Sequence, residues 1–450
     1  MVLRKARGIL RHKSLTPQQK AKQSKYESLD FDQYKGSTGS RLLRISAARH
    51  YVATIHFASW IVCLFIGATT GVIGFFIHTS LTNLQTRRKA IVIHLMGPDQ
   101  DQFLVPFLAH IAICAALVLV ATCIVAFVEP VAAGSGIPEV KCFLNGVKVA
   151  HLVRIKTLVS KVIGIIFSVG GGLPVGKEGP MIHAGAAVGG GISQGRGVTA
   201  QMAMGVNDVS FSGRLFSFFK DFRNDRHKRD FVAIGSASGV AAAFGAPIGG
   251  VLFALEEGVS HTNQLLVWQA FFAAMVATFT LNVLASGTYA DGGWGLLKYP
   301  ALVSFGSFDN QSGLGFASHH DYNLYDIGFF AVIGVAGGLF GALFNEANLK
   351  LSTWRMKHVP VTSPFKRALE AVVVAVTVQA VLFLLAYYYK DCRCARSSTA
   401  MQDSLERFYC PKTCEVDGNI ETTTTYNAMG TLVFNPLEEA MRHLFHQARQ

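Results

Sequence analysis

The sequence predicts an all-α polytopic membrane protein with interrupted helices, and three observations lead there. Half of the 450 residues are hydrophobic and only 15% are charged, against about 25% charged in an ordinary soluble chain; the mean hydropathy is +0.34. The apolar residues gather into runs at 51–83, 103–129, 152–172, 266–286, 327–346 and 367–388, several of which reach the roughly 20 residues that cross a bilayer as helix. Finally, Gly and Pro break the stretches 152–172 and 231–257, where an ordinary span would be continuous. A backbone group freed in hydrocarbon has no water to bond, so such breaks survive inside protein or along a wet cavity. Broken helices whose N-termini meet at mid-membrane are one way to build an ion site.

The elements follow in order. Residues 1–50 form a basic tail, with twelve Lys or Arg against Glu27, Asp30 and Asp32, a net of +9 out of the chain's +13. No apolar segment follows MVLRKARGILRHK, so no cleavable signal is expected; residues 1–38 read as largely disordered. The charges lack aromatic interleaving, which argues against a nucleic-acid partner. Beside a membrane span they act as a topology signal that places the N-terminus in the cytosol.

From the cytosol, 51–83 runs outward and 103–129 returns, leaving 130–141 at the cytosolic side. Residues 193–230 form a charged insert ending in KDFRNDRHKRDF, read as a cytosolic loop or surface helix with a solvated face. The chain thus divides into the tail, a first transmembrane half at 51–292 and the start of a second half at 293–450. After the 327–346 run come Lys350, Arg355, Lys357, Lys366 and Arg367, suited to the cytosol. The run 367–388 then leads outward to a luminal loop at 389–428.

That loop holds Cys392, Cys394, Cys410 and Cys414. In an oxidising lumen these suggest disulfides of open pairing; a zinc site of four thiolates is the competing reading. Asn310-Gln311-Ser312 is a glycosylation sequon on the same luminal side.

Three Gly/Pro-rich stretches carry the chemistry: GSGIPEV at 134–140, GKEGP at 176–180 and GAPIGGVLFALEE at 245–257. Pro fits the first turn of a helix, where its missing N–H costs nothing. The free N–H groups and positive dipole of such a start bind an anion without a full positive charge. A transported anion must also leave, so that moderation matters. GGGLPVGKEGP, residues 170–180, also spells the beginning of a nucleotide-binding P-loop, but Glu178 stands where Ser or Thr would hold magnesium. A carboxylate inside an apolar region is itself a functional pointer, and at a helix start it competes with an anion for the same amides. Ser135 offers a hydroxyl to a halide or is a plain N-cap. Glu257, paired in sequence with Glu256, is either functional or the end of a helix at the interface.

At these residues the sequence resembles the CLC family of chloride channels and chloride/proton exchangers. GSGIP, GKEGP and GAPIGG…LEE occur in the family's order. The strings VEPVAAGSGIPEVKCFLNGVKV, GKEGPMIH, KRDF and AAFGAPIGGVLFALEEG look like its lysosomal and late-endosomal branch. So do YESLD and the NP-x-E-x-A-x-R-x-LFH pattern at 435–446. The resemblance covers residues 26 to 446 and implies the family's inverted-repeat fold. It implies that Ser135, Gly136, Ile137 and Gly179 contact chloride, that Glu178 is the gating glutamate, and that Glu257 is the proton glutamate of an exchanger. It further implies two chlorides per proton, a homodimer, a single-pass glycosylated accessory subunit and a lysosomal or late-endosomal membrane. Chloride and protons are cargo; no cofactor, metal or enzymatic activity is expected. The family's GxFxP stretch, its later tyrosine and its nucleotide-binding CBS domains have no counterpart here, the nearest string being GSFDN at 306–310. The expectation is therefore an incomplete second half and an incomplete form of the transporter. Two alternatives stay open: a proton-uncoupled channel, and a non-transporting isoform that regulates full-length subunits.

Overall fold

The computed structural model describes residues 46–96, 103–194, 222, 224–260, 262–289, 324–360, 363–389, 392–394, 414–416, 419–421, 425–435 and 440. The helices are α1 Ser46–Met96, α2 Leu104–Cys123, α3 Ile137–Leu144, α4 Ile155–Gly170, α5 Glu178–Gln194 and α6 Asp225–Phe244. They continue with α7 Pro247–Phe253, α8 Gln264–Tyr289, α9 Leu324–His358, α10 Pro364–Tyr388 and α11 Ala428–Phe434. Five segments among the described residues are long and apolar enough to cross a membrane: His56–Met96, Leu104–Val128, Gln264–Gly287, Tyr325–His358 and Pro364–Tyr388.

The helix boundaries follow local chemistry. Helix α6 begins where Asn224 Oδ1 accepts from the His227 N–H at 2.7 Å, an N-cap. It ends at Gly245, whose φ of +66° suits glycine, and Pro247 then opens α7. Helix α8 is capped by Asn263 Oδ1, which accepts from the Leu266 N–H at 2.6 Å. The run read as 51–83 is longer than the sequence suggests. Helix α1 continues to Met96 through polar residues, and its buried Arg88 donates to the Gly170 carbonyl at 3.0 Å. The run 152–172 is shorter: α4 has 16 residues, and the backbone break comes after it rather than within it. Helix α6 takes in the last residues of the 193–230 stretch from Asp225 onward; residues 195–221 lie outside the described residues.

The chain forms two compact units. The first comprises residues 1–92 and 127–303. Its centre is the pair α5–α6, which approach backbone to backbone: a Cβ on Gly239 would lie 3.0 Å from the Met181 carbonyl carbon, and one on Gly185 3.0 Å from Gly239 Cα. Helices α1 and α8 pack alike, with Gly71 against Ala277 and Thr280. Around them Val62, Cys63, Ile66, Ile234, Ala237, Ala241, Ala273 and Ala274 make one buried cluster. Small residues at a helix interface let backbones close up and gain contact energy where lipid offers no hydrophobic drive. A buried Gln269 on α8 donates to Ser59 Oγ on α1 at 2.7 Å.

The second unit comprises residues 93–126 and 304–450. Helix α2, which the linear division places in the first half, packs within this unit on α10. Phe107 meets Phe383 edge-on at 5.4 Å, and His110 Nε2 is 3.0 Å from Gln379 Oε1. Phe434 of α11 lies across the His110 ring at 5.5 Å. Among the described residues, the loop read at 389–428 contains four short strands, β1 Cys392–Cys394, β2 Cys414–Val416, β3 Asn419–Glu421 and β4 Thr425–Asn427. Strands β1 and β4 pair antiparallel with Cys392 opposite Asn427, and β2 pairs with β3 with Cys414 opposite Glu421.

Candidate functional site: two helix starts in contact

The first unit brings the starts of α3 and α5 together. Gly136 precedes α3 with φ +82°, and Pro138 sits in the first turn. Ser135 is not the cap of α3, as the plain structural reading would have it; Gly136 holds that place. Ser135 Oγ instead accepts weakly from the Ile137 N–H at 3.4 Å, which leaves its hydroxyl hydrogen to donate elsewhere. Gly136 has no room for a side chain, because the ring of buried His183 fills the place of its Cβ.

Glu178 is the first residue of α5. Its carboxylate folds back against Gly176, and the adjacent Lys177 is buried. Gly179 lies directly on the other helix start: a Cβ there would be 2.7 Å from Ser135 Cβ and 3.5 Å from Ile137 Cδ1. Ser135, Gly136, Ile137, Glu178 and Gly179 therefore form one constellation. Helix α5 follows helix α4 with no strand between them, which removes the strand–loop–helix setting that a nucleotide P-loop requires.

Glu257 stands apart. It lies in the π-turn Ala254–Gly258 that follows α7, with its side chain 61% exposed and 3.0 Å from Lys141 Nζ. An exposed pair of this kind contributes about 0–1 kcal/mol, so it orients the carboxylate more than it stabilises the fold. Asn145 Nδ2 adds a bond to the Gly258 carbonyl at 3.3 Å. Lys141 and Asn145 sit at the far end of α3, so this eight-residue helix, about 12 Å long, joins the Ser135 constellation to the Glu257 turn. At the same end Lys228 lies 5.8 Å above the Phe143 ring; burial pushes its ammonium pKa below the usual range.

The predicted luminal residues are only partly described. Cys392 is disulfide-bonded, in keeping with an oxidised loop. Cys394 shares its strand and Cys414 lies in β2; Cys410 and Asn310 lie outside the described residues. Cys63, Cys123 and Cys142 are free thiols, and Cys114 Sγ lies 3.9 Å from His110 Nε2.

The sequence reading did not single out two residues that pack against the site. Lys161 and His183 are both buried beside the Ser135 loop. The signal for Lys161 was present, since it is the lone charge in TLVSKVIGIIFSVG, and an ionisable group in an apolar segment marks function by default.

Comparison with known proteins accords with this geometry. A family model described as voltage gated chloride channel matches residues 114–448. The chain belongs to this family. It is 42% identical over 426 residues to H(+)/Cl(-) exchange transporter 7 of Homo sapiens, an alignment covering 94% of this chain and 48% of the relative. It is 33% identical over 448 residues to Chloride channel protein C of Dictyostelium discoideum, covering 97% and 53%. The chain thus spans about half the length of the curated relatives it matches. Among solved structures, a eukaryotic CLC transporter shares the fold with TM-score 0.53 and 22% identity, over 74% of this chain and 50% of that one. A slow cyanobacterial Cl-/H+ antiporter does so with TM-score 0.52 and 20% identity, over 77% and 70%. The voltage gated chloride channel fold is therefore shown for this chain.

Proposed function

We propose that the chain carries the chloride and proton sites of a chloride/proton exchanger in a lysosomal or late-endosomal membrane, with its N-terminus in the cytosol. The observation that carries this reading is the contact of the α3 and α5 starts, with Ser135 on Gly179 and Glu178 one residue away. Ser135 donates its hydroxyl to chloride. Glu178, when ionised, competes with chloride for the helix-start amides, since both are anions drawn to the same positive end. Once protonated, it loses that attraction and yields the place. Glu257, exposed beyond the other end of α3, takes protons at the aqueous face and passes them toward Glu178. Coupling follows because one carboxylate both carries the proton and blocks the anion. The activity is transport and uses no cofactor. The reading includes a homodimer and a single-pass glycosylated accessory subunit as partners.

The uncoupled channel is the second reading. It draws on the exposure of Glu257, which sits at a helix end as an incidental interface residue would. One experiment separates them: chloride and proton fluxes recorded together in liposomes. The protein is the chain fused to the half of the human relative that it does not match. Glu257→Gln stops proton movement and spares chloride; Glu178→Gln uncouples chloride from pH altogether. Undiminished proton flux in Glu257→Gln would remove the relay role, and chloride flux with no proton movement in the unaltered protein would leave the channel reading.

A further inference from the structure

We infer that Lys161 is a positioning residue of the anion site: bound to the carbonyls of Ala132 and Gly134, its ammonium holds the Gly134–Gly136 loop so that Ser135 faces the start of α5. The inference rests on the chloride reading above. Lys161 projects from α4 and is 3% exposed. Its Nζ donates to the Gly134 carbonyl at 2.8 Å and to the Ala132 carbonyl at 3.2 Å. A lysine has three donors and no acceptor, and a cation taken out of water persists where fixed dipoles replace its hydration. Here two of those dipoles belong to one short loop, so charge and loop fix each other.

The loop needs such a hold. Gly134 and Gly136 both have positive φ, +67° and +82°, and flank Ser135 with the least restricted residue type. The direction of the hold also matters. A peptide group is planar and trans, so drawing the Gly134 carbonyl oxygen onto Lys161 turns the N–H of Ser135 the opposite way. The negative ends of two peptides thus face the lysine. The Ser135 amide hydrogen points to the side away from it.

His183 forms a second stop, at Gly136. It is 1% exposed on α5, and its Nε2 lies 3.0 Å from the Leu152 carbonyl. A carbonyl only accepts, so Nε2 carries the proton, and Nδ1 has no hydrogen-bond partner among the described residues. The side chain occupies the space beside Gly136, with His183 Cβ 2.7 Å from where a Gly136 Cβ would be. Lys161 thus contacts the loop at Gly134 and His183 at Gly136. Glu129 adds a looser tie further back, 3.5 Å from His151 Nδ1 and 4.0 Å from Lys156 Nζ, both partners being half exposed.

The test combines hydrogen exchange over residues 131–140 with calorimetric titration of sodium chloride into the 450-residue chain in lipid nanodiscs. Lys161→Met is expected to speed exchange in that peptide about tenfold and weaken chloride binding about tenfold, the scale of losing hydrogen bonds from a charged donor. Exchange at 185–189 and 235–239 stays unchanged. Lys161→Gln, a milder change, shows the same local pattern. His183→Leu loosens the loop, while His183→Gln, which keeps a donor for the Leu152 carbonyl, stays near wild type. Unchanged exchange at 131–140 in both lysine variants overturns the proposal. So does a loss spread equally over α5 and α6, which would make Lys161 a general stability element. Wild-type chain that binds no chloride refutes the anion reading instead, and the exchange data still decide the clamp.

Discussion

Two helical surfaces carry glycines at the same four-residue spacing and are used differently. On α5 and α6, Gly185 and Gly189 face Gly235 and Gly239, and a Cβ on any of them would run into opposing backbone. On α9, Gly334 and Gly338, like Gly337 and Gly341, repeat the spacing, yet a Cβ at any of these four meets nothing within 4 Å among the described residues. Ile333, Leu339, Phe340 and Phe344 stand exposed beside them. Among the described residues, the spacing on α5 and α6 meets a matching surface of small residues, as close helix packing requires, and the spacing on α9 does not. The packed pair is the frame of the site. Helix α5 presents Glu178 at its start, and α6 leads through Gly245 into α7 and the Glu257 turn. The bare surface of α9 is apolar and needs lipid or another helix against it.

The comparison can be broken at its strongest point first. Gly235→Leu drives a side chain into the Gly185 carbonyl and is expected to destabilise the first unit by about 3 kcal/mol or more, read as a fall in the thermal unfolding midpoint in detergent. Wild-type stability for this variant would mean that α5 and α6 are not in backbone contact. Gly136→Ala comes next. A left-handed backbone and the His183 ring both oppose the methyl, so a loss of about 1–3 kcal/mol is expected. Chloride titration should show the binding loss while exchange at 235–239 stays protected. Gly71→Ala, against α8, falls in the lower part of the overpacking range, about 1 kcal/mol, in the same melting assay. The smallest effect belongs to α9. Gly338→Ala meets open space and gains helix propensity, so the midpoint stays level or rises, for a gain in stability of no more than about 1 kcal/mol. A marked drop there would show that α9 is packed after all.

Much of the site was legible in the sequence because glycine and proline act locally. GSGIP, GKEGP and GAPIGG each announce a backbone break, and the structure opens α3, α5 and α7 at these stretches. Glu178 was placed correctly at a helix start for the same reason. What escaped the reading depends on contacts distant in sequence. Polar TNLQTRRK looks like the end of a span, yet helix α1 continues through it, with Arg88 bound to a carbonyl 82 residues away. Helix α2 looks like a neighbour of α1 by chain order, but its aromatic edge belongs with Phe383 and Tyr387. The strands around Cys392 and Cys414 are three residues long, too short for any period to register. Lys161 was visible as a lone charge; only the fold shows which carbonyls it holds.

The central claim is coupled exchange, and its most direct measurement is uphill proton movement. Liposomes holding the chain fused to the unmatched half of the human relative are loaded with high chloride at equal pH on both sides. External pH is then followed as chloride leaves. The account predicts that chloride efflux drives protons inward, so that external pH rises until a proton gradient opposes further exchange, and that a proton ionophore collapses this gradient. Chloride efflux with no proton uptake, in protein whose Glu178 and Glu257 are intact, would contradict it.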